Sequence, residues 1–199
     1  MPSTDDILGI ITARGGSKRL PGKNLAILRG KPLLTYTCEA AKASQRLTRV
    51  ILSTDDEAIA RVGKECGIEV PFMRPPELAT DNAQSIDVVL HVLDALHKRE
   101  GYRPSLVVLL QPTSPLRTGA DIDAAIALLL ERGADSLVSV TKDGKRNGAL
   151  YVIRPDVLER TGDFGGGTHV PFVMDCNRSI DIDEPFDLAQ AEYLLRSQR

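Results

Sequence analysis

Four cations, Arg14, Lys18, Arg19 and Lys23, lie within ten residues of one another, among Gly15, Gly16, Pro21 and Gly22. They follow the apolar run Ile7-Leu8-Gly9-Ile10-Ile11, which reads as a buried first strand. Glycine lets backbone N–H groups come close to an anion, and lysine and arginine neutralise its charge, so this strand-to-loop junction suits a triphosphate. It matches neither common phosphate loop. Counting back from Gly22-Lys23, Ser17 replaces the first glycine of a P-loop, and Asn24 stands where the magnesium-binding hydroxyl belongs. A Gly-x-Gly-x-x-Gly dinucleotide fingerprint is absent from the sequence. A solvated basic loop is the plainer alternative, but the position at the end of the first strand favours anion binding.

Near the other end, Ser179-Ile180-Asp181-Ile182-Asp183-Glu184-Pro185 carries two carboxylates two residues apart. In an extended segment both point to the same side. Magnesium commonly takes one or two carboxylates plus substrate phosphates, which fits such a pair. Asp183 has a second reading as the N-cap of a helix opening at Pro185. Asp181 has none and is the better metal candidate.

Between these ends lies Leu110-Gln111-Pro112-Thr113-Ser114-Pro115-Leu116-Arg117. Two prolines stiffen it, and Gln111, just past a buried strand, is placed to read a polar ligand. In the segment from Arg74 to Ser85, either Asn82 or Ser85 is expected to cap the next helix, which leaves Arg74 without a structural role. His91 and His97 fall on that helix as surface or boundary residues, and His169 is isolated. No Ser/His/Asp or Cys/His constellation can be assembled, so covalent hydrolytic chemistry has no support.

The elements that must position these residues alternate. Helices are expected from Pro32 to about Ala43, after Thr54-Asp55-Asp56-Glu57, from about Ser85, over Gly119 to Glu131, and over Pro185 to Leu195. Strands are expected at Arg49–Ser53, a short one at Ile68–Val70, then Leu106–Leu110, Asp135–Thr141 and Ala149–Ile153. Leu106 to Leu110 is wholly apolar, the mark of a strand buried on both faces. This alternation predicts an α/β fold, a mainly parallel sheet with helices on both faces, whose ligands bind outside the carboxyl ends of the strands.

With 199 residues, 42% of them hydrophobic, the chain fits one domain over 1–199. Its 27 acidic and 25 basic residues nearly cancel, so there is no electrostatic footprint for nucleic acid. No apolar stretch approaches a membrane span, and the acidic start, Met1 to Asp6, lacks the form of a secretion signal. Cys38, Cys66 and Cys176 are scattered and odd in number, as expected of a cytoplasmic protein without disulfides or a cysteine metal cluster.

Taken in order, six motifs resemble the CMP-sialic acid synthetases, the acylneuraminate and related nonulosonate cytidylyltransferases. They are Ala13-Arg14-Gly15-Gly16-Ser17-Lys18 with Leu20-Pro21-Gly22-Lys23-Asn24, Ser53-Thr54-Asp55, Arg74-Pro75 with Leu78-Ala79-Thr80-Asp81, Leu110 to Arg117, Asn147-Gly148-Ala149-Leu150-Tyr151, and Ser179 to Asp183. The resemblance implies a Rossmann-like nucleotidyltransferase that joins CTP to the anomeric hydroxyl of an acidic 2-keto sugar, with magnesium, or manganese in its place, on the departing pyrophosphate. It implies that Arg14 and Lys23 hold the triphosphate and carry catalysis, with Gly15, Gly16 and Ser17 completing the loop. Asn24, Arg74 and Ser85 would contact the nucleotide, Gln111 and Tyr151 the sugar, and Asp181 and Asp183 the metal. Asn24, where Kdo synthetases differ, favours the sialic-type branch.

One departure stands out. The family's long segment before the Asn-Gly-Ala strand, which reaches across a dimer, shrinks here to Lys142-Asp143-Gly144-Lys145-Arg146. Five residues span under roughly 18 Å, so each site is expected to be self-contained, with a homodimer left open through other surfaces. Arg146 then becomes the candidate for the sugar carboxylate. The stretch from Gly162 to Thr168 shows no clear aromatic pair for an acyl group. The acceptor could equally be a legionaminic or pseudaminic type of acid, or a smaller acidic sugar. A non-catalytic nucleotide-binding protein is the alternative reading, and retention of both aspartates argues against it.

Overall fold

In the computed structural model, which describes residues 6–197, the chemistry-bearing loops hang from one six-stranded sheet. The elements run β1 (Ile7–Thr12), β2 (Ile27–Leu28), β3 (Lys31–Pro32), α1 (Leu33–Ala43), β4 (Arg49–Ser53), α2 (Glu57–Glu65), α3 (Ser85–Glu100), β5 (Leu106–Leu110), α4 (Gly119–Arg132), β6 (Ser136–Val140), β7 (Arg146–Ile153), α5 (Pro155–Thr161), β8 (His169–Val173) and α6 (Pro185–Ser197). The sheet order is β4-β1-β5-β7-β6-β8, and β2 and β3 form a separate two-stranded ribbon. β1 lies parallel to both β4 and β5, and β8 parallel to β6. The Met1 to Asp5 part of the acidic start lies outside the described residues.

β7 departs from the parallel pattern, running antiparallel to β5 and to β6. A parallel crossover needs a dozen or more residues, and too few separate β6 from β7. They close instead as a hairpin turn in which Thr141 N–H donates to the Lys145 carbonyl at 2.8 Å and Gly144 N–H to that of Thr141 at 2.9 Å. The shortened segment therefore folds back onto its own sheet.

Strand alternation sends side chains to two faces. From β5, Leu106, Val108 and Leu110 join α1, α2 and α4 residues such as Leu34, Ile59 and Ile126, while Val107 and Leu109 join Val92 and Leu96 of α3 and Leu158 of α5. All five β5 side chains are buried, and trimming Leu109 to alanine would cost about 2–5 kcal/mol. A smaller cluster seals α6 against the ribbon through Leu28, Leu33, Ile182 and Ala191.

Several local expectations change. The stretch at Ile68–Val70 is reduced to a single bridge between Ile51 and Glu69. Pro32 stands at the N-cap of α1 rather than inside its first turn. Gln84 occupies the N-cap of α3 with no side-chain cap bond, so neither Asn82 nor Ser85 caps that helix. α5 and β8 form where no regular element was expected. His169 is not isolated, since its Nδ1 lies 3.2 Å from Ser136 Oγ. All three cysteines are free thiols, and burial pushes the Cys38 thiol up from its ordinary pKa. No described helix is long and apolar enough to cross a membrane.

Candidate active site

The carboxyl ends of β1 and β5 open into a cleft of about 600 Å³. β1 delivers the cationic loop to one side, the turn after β5 delivers Gln111 and Thr113, and the segment before α6 delivers Asp181 and Asp183. Arg14, Gly16, Ser17, Lys23, Asn24, Arg74, Ser85, Gln111, Asp181 and Asp183 all line this one space, although Arg14 and Asp183 are 169 positions apart in sequence. Gly15 sits just behind the wall, where its N–H donates to Asp55 Oδ1 at 3.1 Å.

The loop is shaped by contacts with its own backbone and with carboxylates. The buried Asn24 side chain donates from Nδ2 to the Arg14 carbonyl at 2.9 Å, bracing the two ends of the loop against each other. Arg14 and Lys18 reach Asp81 at 2.9 and 2.6 Å. The Lys18 ammonium, then the Arg14 guanidinium, hold the Asp81 carboxyl below the usual carboxylate range. Lys18 is largely exposed and Arg14 and Asp81 partly so, so such pairs add little to stability and exchange readily for a stronger anion. Asp81 appeared in the sequence only as a motif letter. Its partners lie more than sixty positions away, so no local spacing marks the pairing.

Arg74 is buried, donating from Nε to Ser53 Oγ at 3.1 Å and from Nη2 to the Ser53 carbonyl at 2.5 Å. Burial lowers its pKa to about 10, still far above neutrality, so it brings a fixed positive charge to the cleft wall.

The carboxylate side is held as firmly. Ile182 N–H donates to the Thr113 carbonyl at 2.8 Å, pinning the residue between the two aspartates. Asn147 donates to Ser179 Oγ at 2.9 Å and accepts from Ser139 Oγ at 2.5 Å, tying that segment to β7 and β6. Asp181 is open to the cleft but crowded by protein elsewhere. That crowding raises its pKa above the usual carboxylate range, partly offset by a hydrogen bond with Thr113 and reinforced by the nearby Asp183 charge. Asp183 does not cap α6. Asp187 accepts from the Asp183 and Glu184 N–H groups at 2.9 and 2.8 Å, while the Asp183 carboxylate faces Lys23 and Arg19. The cap reading of Asp183 is thereby removed.

Arg146 and Tyr151 stand beside the cleft rather than in its lining. They are linked to it through Gly148, whose φ of 74° favours glycine and where a Cβ would lie 3.1 Å from Gln111 Oε1 and 3.5 Å from Asp181 Oδ2. The Tyr151 ring packs on Phe164 at 5.1 Å between centroids, so the glycine-rich loop does supply an aromatic partner, whose mate lies on β7. Arg146 is exposed and reaches Asp163 only at 3.9 Å. Arg117, the last residue of the Leu110 to Arg117 motif, is fully buried and acts as a positioning group. It donates to the Ala149 carbonyl at 2.8 Å and to the Gln111 carbonyl at 3.2 Å, locking the β5 turn to β7.

A protein-family model described as cytidylyltransferase matches residues 8–154. CMP-N,N'-diacetyllegionaminic acid synthase of Legionella pneumophila is 33% identical over 95% of this chain and 96% of its own length. N-acylneuraminate cytidylyltransferase of Escherichia coli is also 33% identical, over 93% of this chain, which spans about half (51%) of that longer protein. Among solved structures, CMP:2-keto-3-deoxy-manno-octonic acid synthetase complexed with CTP superposes with a TM-score of 0.74 at 17% identity, covering 98% of this chain and 100% of that one. A cytidylyltransferase from Leptospira borgpetersenii gives 0.67 at 19% identity, over 92% of this chain and 83% of that one. These structural likenesses bear on the fold, which is the Rossmann-like α/β nucleotidyltransferase architecture. The sequence relatives, with the family model across most of the chain, settle the family: this chain is a member of the cytidylyltransferases, the family that includes the nonulosonate CMP-sugar synthases.

Proposed function

We propose that the chain joins CTP to the anomeric hydroxyl of an acidic 2-keto sugar of the nonulosonic type, releasing pyrophosphate. One observation carries this reading: a cationic loop at the end of the first strand faces a carboxylate pair across a single cleft, with Lys23 and Asp183 2.9 Å apart. The names of the relatives, acting on legionaminic and N-acylneuraminic acids, supply the acceptor class.

In this mechanism Arg14 and Lys23 bind the triphosphate, with Gly15, Gly16 and Ser17 shaping the loop around it, and their positive charge favours charge build-up on the leaving pyrophosphate. Asn24, Arg74 and Ser85 hold the nucleoside part. Gln111 and Tyr151 orient the sugar, and Arg146 pairs with its carboxylate, so that the anomeric hydroxyl lies in line with the α-phosphorus. Transfer at phosphorus depends on positioning and charge neutralisation rather than on a covalent protein group. Asp181 and Asp183 are hard oxygen donors of the kind that suit magnesium, or manganese in its place, which when bound supplies neutralising charge to the phosphates.

The short hairpin between β6 and β7 supports a site completed within one chain, with any homodimer formed through other surfaces. Unpaired cysteines fit a reducing cytoplasm. The test is pyrophosphate release with each nucleoside triphosphate against a panel of 2-keto sugar acids. Turnover with CTP and a nonulosonic acid is expected, and turnover only with another nucleotide would overturn the reading.

A further inference from the structure

The two carboxylates that meet the cationic loop differ in one respect. Asp81 answers Arg14 and Lys18 from a wall that has no further proposed task. Asp183 belongs to the carboxylate pair, and both its oxygens are already engaged: Oδ1 by Lys23 Nζ at 2.9 Å, and Oδ2 by Arg19 Nη1 at 2.9 Å. Lys23 is only 13% exposed, and its ammonium also donates to the Ile182 carbonyl at 2.9 Å, which holds it beside Asp183. Arg19 is 65% exposed and reaches in from solvent. A divalent cation approaching Asp183 therefore meets two positive charges and two occupied oxygens. A polyphosphate meets the opposite situation, because the same two side chains are donors that it can recruit by charge-assisted hydrogen bonds.

We propose that in the nucleotide-free protein Arg19 and Lys23 block the carboxylate pair, so that a divalent cation binds at Asp181 and Asp183 only together with a polyphosphate that draws these two side chains away. The inference rests on the CTP reading above and adds an order to it. Metal and nucleotide become coupled ligands, each strengthening the other by the same factor. Arg19, outside the set of residues assigned to the reaction, becomes the gate.

Manganese titration read by electron paramagnetic resonance, which counts the free ion, tests this without turnover. Nucleotide-free wild-type protein should bind manganese weakly. Arg19→Ala should raise that affinity about tenfold, within the usual range of coupling between ligands. The double variant Arg19→Ala/Asp181→Asn should fall back to the wild-type value, which assigns the gained ion to the carboxylate pair. Lys18→Ala removes the same charge from the Asp81 cluster and should leave manganese affinity unchanged. The proposal is overturned if nucleotide-free wild type binds manganese as tightly as Arg19→Ala, or if Lys18→Ala raises affinity equally. Calorimetry of CTP in magnesium judges the functional reading separately. Absence of CTP binding there sinks that reading, while the nucleotide-free manganese arms still decide the block.

Discussion

On the side of the cleft proposed for the nucleotide, Arg14, Lys18, Arg19 and Lys23 each meet a carboxylate at 2.6 to 2.9 Å, and Asn24 and Asp55 fix the loop backbone beneath them. On the side proposed for the sugar, exposed Arg146 reaches Asp163 only at 3.9 Å, and the hairpin beside it carries the exposed Lys142 to Lys145. The first wall is braced in advance, four cations sharing two carboxylates above a fixed loop backbone, so the backbone itself needs little ordering when an anion binds. The second is loosely held and open. Such a division suits a protein whose nucleotide is constant and whose acceptor varies: stiffness stands where the ligand is always the same.

Three substitutions would break this contrast, in descending order of effect. Asp181→Asn should lower pyrophosphate release by about a hundredfold or more, because the phosphates lose their neutralising partner. Chelator should abolish wild-type activity, and magnesium or manganese should restore it. Full turnover in chelator would remove the carboxylate pair from the reaction. Lys23→Ala should cut kcat/KM for CTP by roughly ten- to a hundredfold. Unlike an ordinary surface lysine, Lys23 is largely covered and bonded to Ile182 and Asp183, so a measurable drop in Tm should accompany the kinetic loss. An unchanged kcat/KM would contradict its phosphate role. Arg146→Ala should raise KM for the sugar acid by about tenfold or less while leaving KM for CTP unchanged. If the open side is read correctly, wild-type enzyme also tolerates changes in the sugar's exocyclic chain better than loss of its carboxylate. Equal shifts in both KM values would show that the two walls are not separable.

The sequence made the stiff side legible and left the loose side partly hidden. Strands such as Leu106–Leu110 announced themselves because burial on both faces demands an unbroken apolar run, and the loop after β1 because cations and glycines crowd a strand end. β8 is hidden in the sequence because it is an edge strand, half exposed, with Pro171 in its middle, and so carries no unbroken apolar run. α5 is a single short helix opened by Pro155. The direction of β7 was readable after all, since five linking residues cannot make a parallel crossover. What no sequence pattern showed was pairing across distance, namely Asp81 with Lys18, Asp183 with Arg19 and Tyr151 with Phe164.

The smallest expected effect sharpens the comparison from the loose side. Asp135, just before β6, accepts from the Thr168 N–H at 2.9 Å and so anchors the stretch that carries Phe164. Gly167, with φ of 71°, permits this approach, since a Cβ there would lie 2.6 Å from Asp135 Oδ2. The Thr168 backbone hydrogen bond holds the Asp135 carboxyl below the usual carboxylate range. A carboxyl whose folded pKa is depressed contributes stability above its unfolded pKa, near 3.9, and loses it as pH falls through the lower folded value. Asp135→Asn should therefore lower Tm by about 1–2 °C at pH 7, and the gap from wild type should close as pH drops below about 4. Thermal melts of both proteins from pH 7 down to pH 3 measure this. A gap that stays constant with pH would mean that the carboxylate charge does not anchor this loop. CTP binding should be the same in both proteins, because the anchor lies away from the cationic loop and outside the cleft lining.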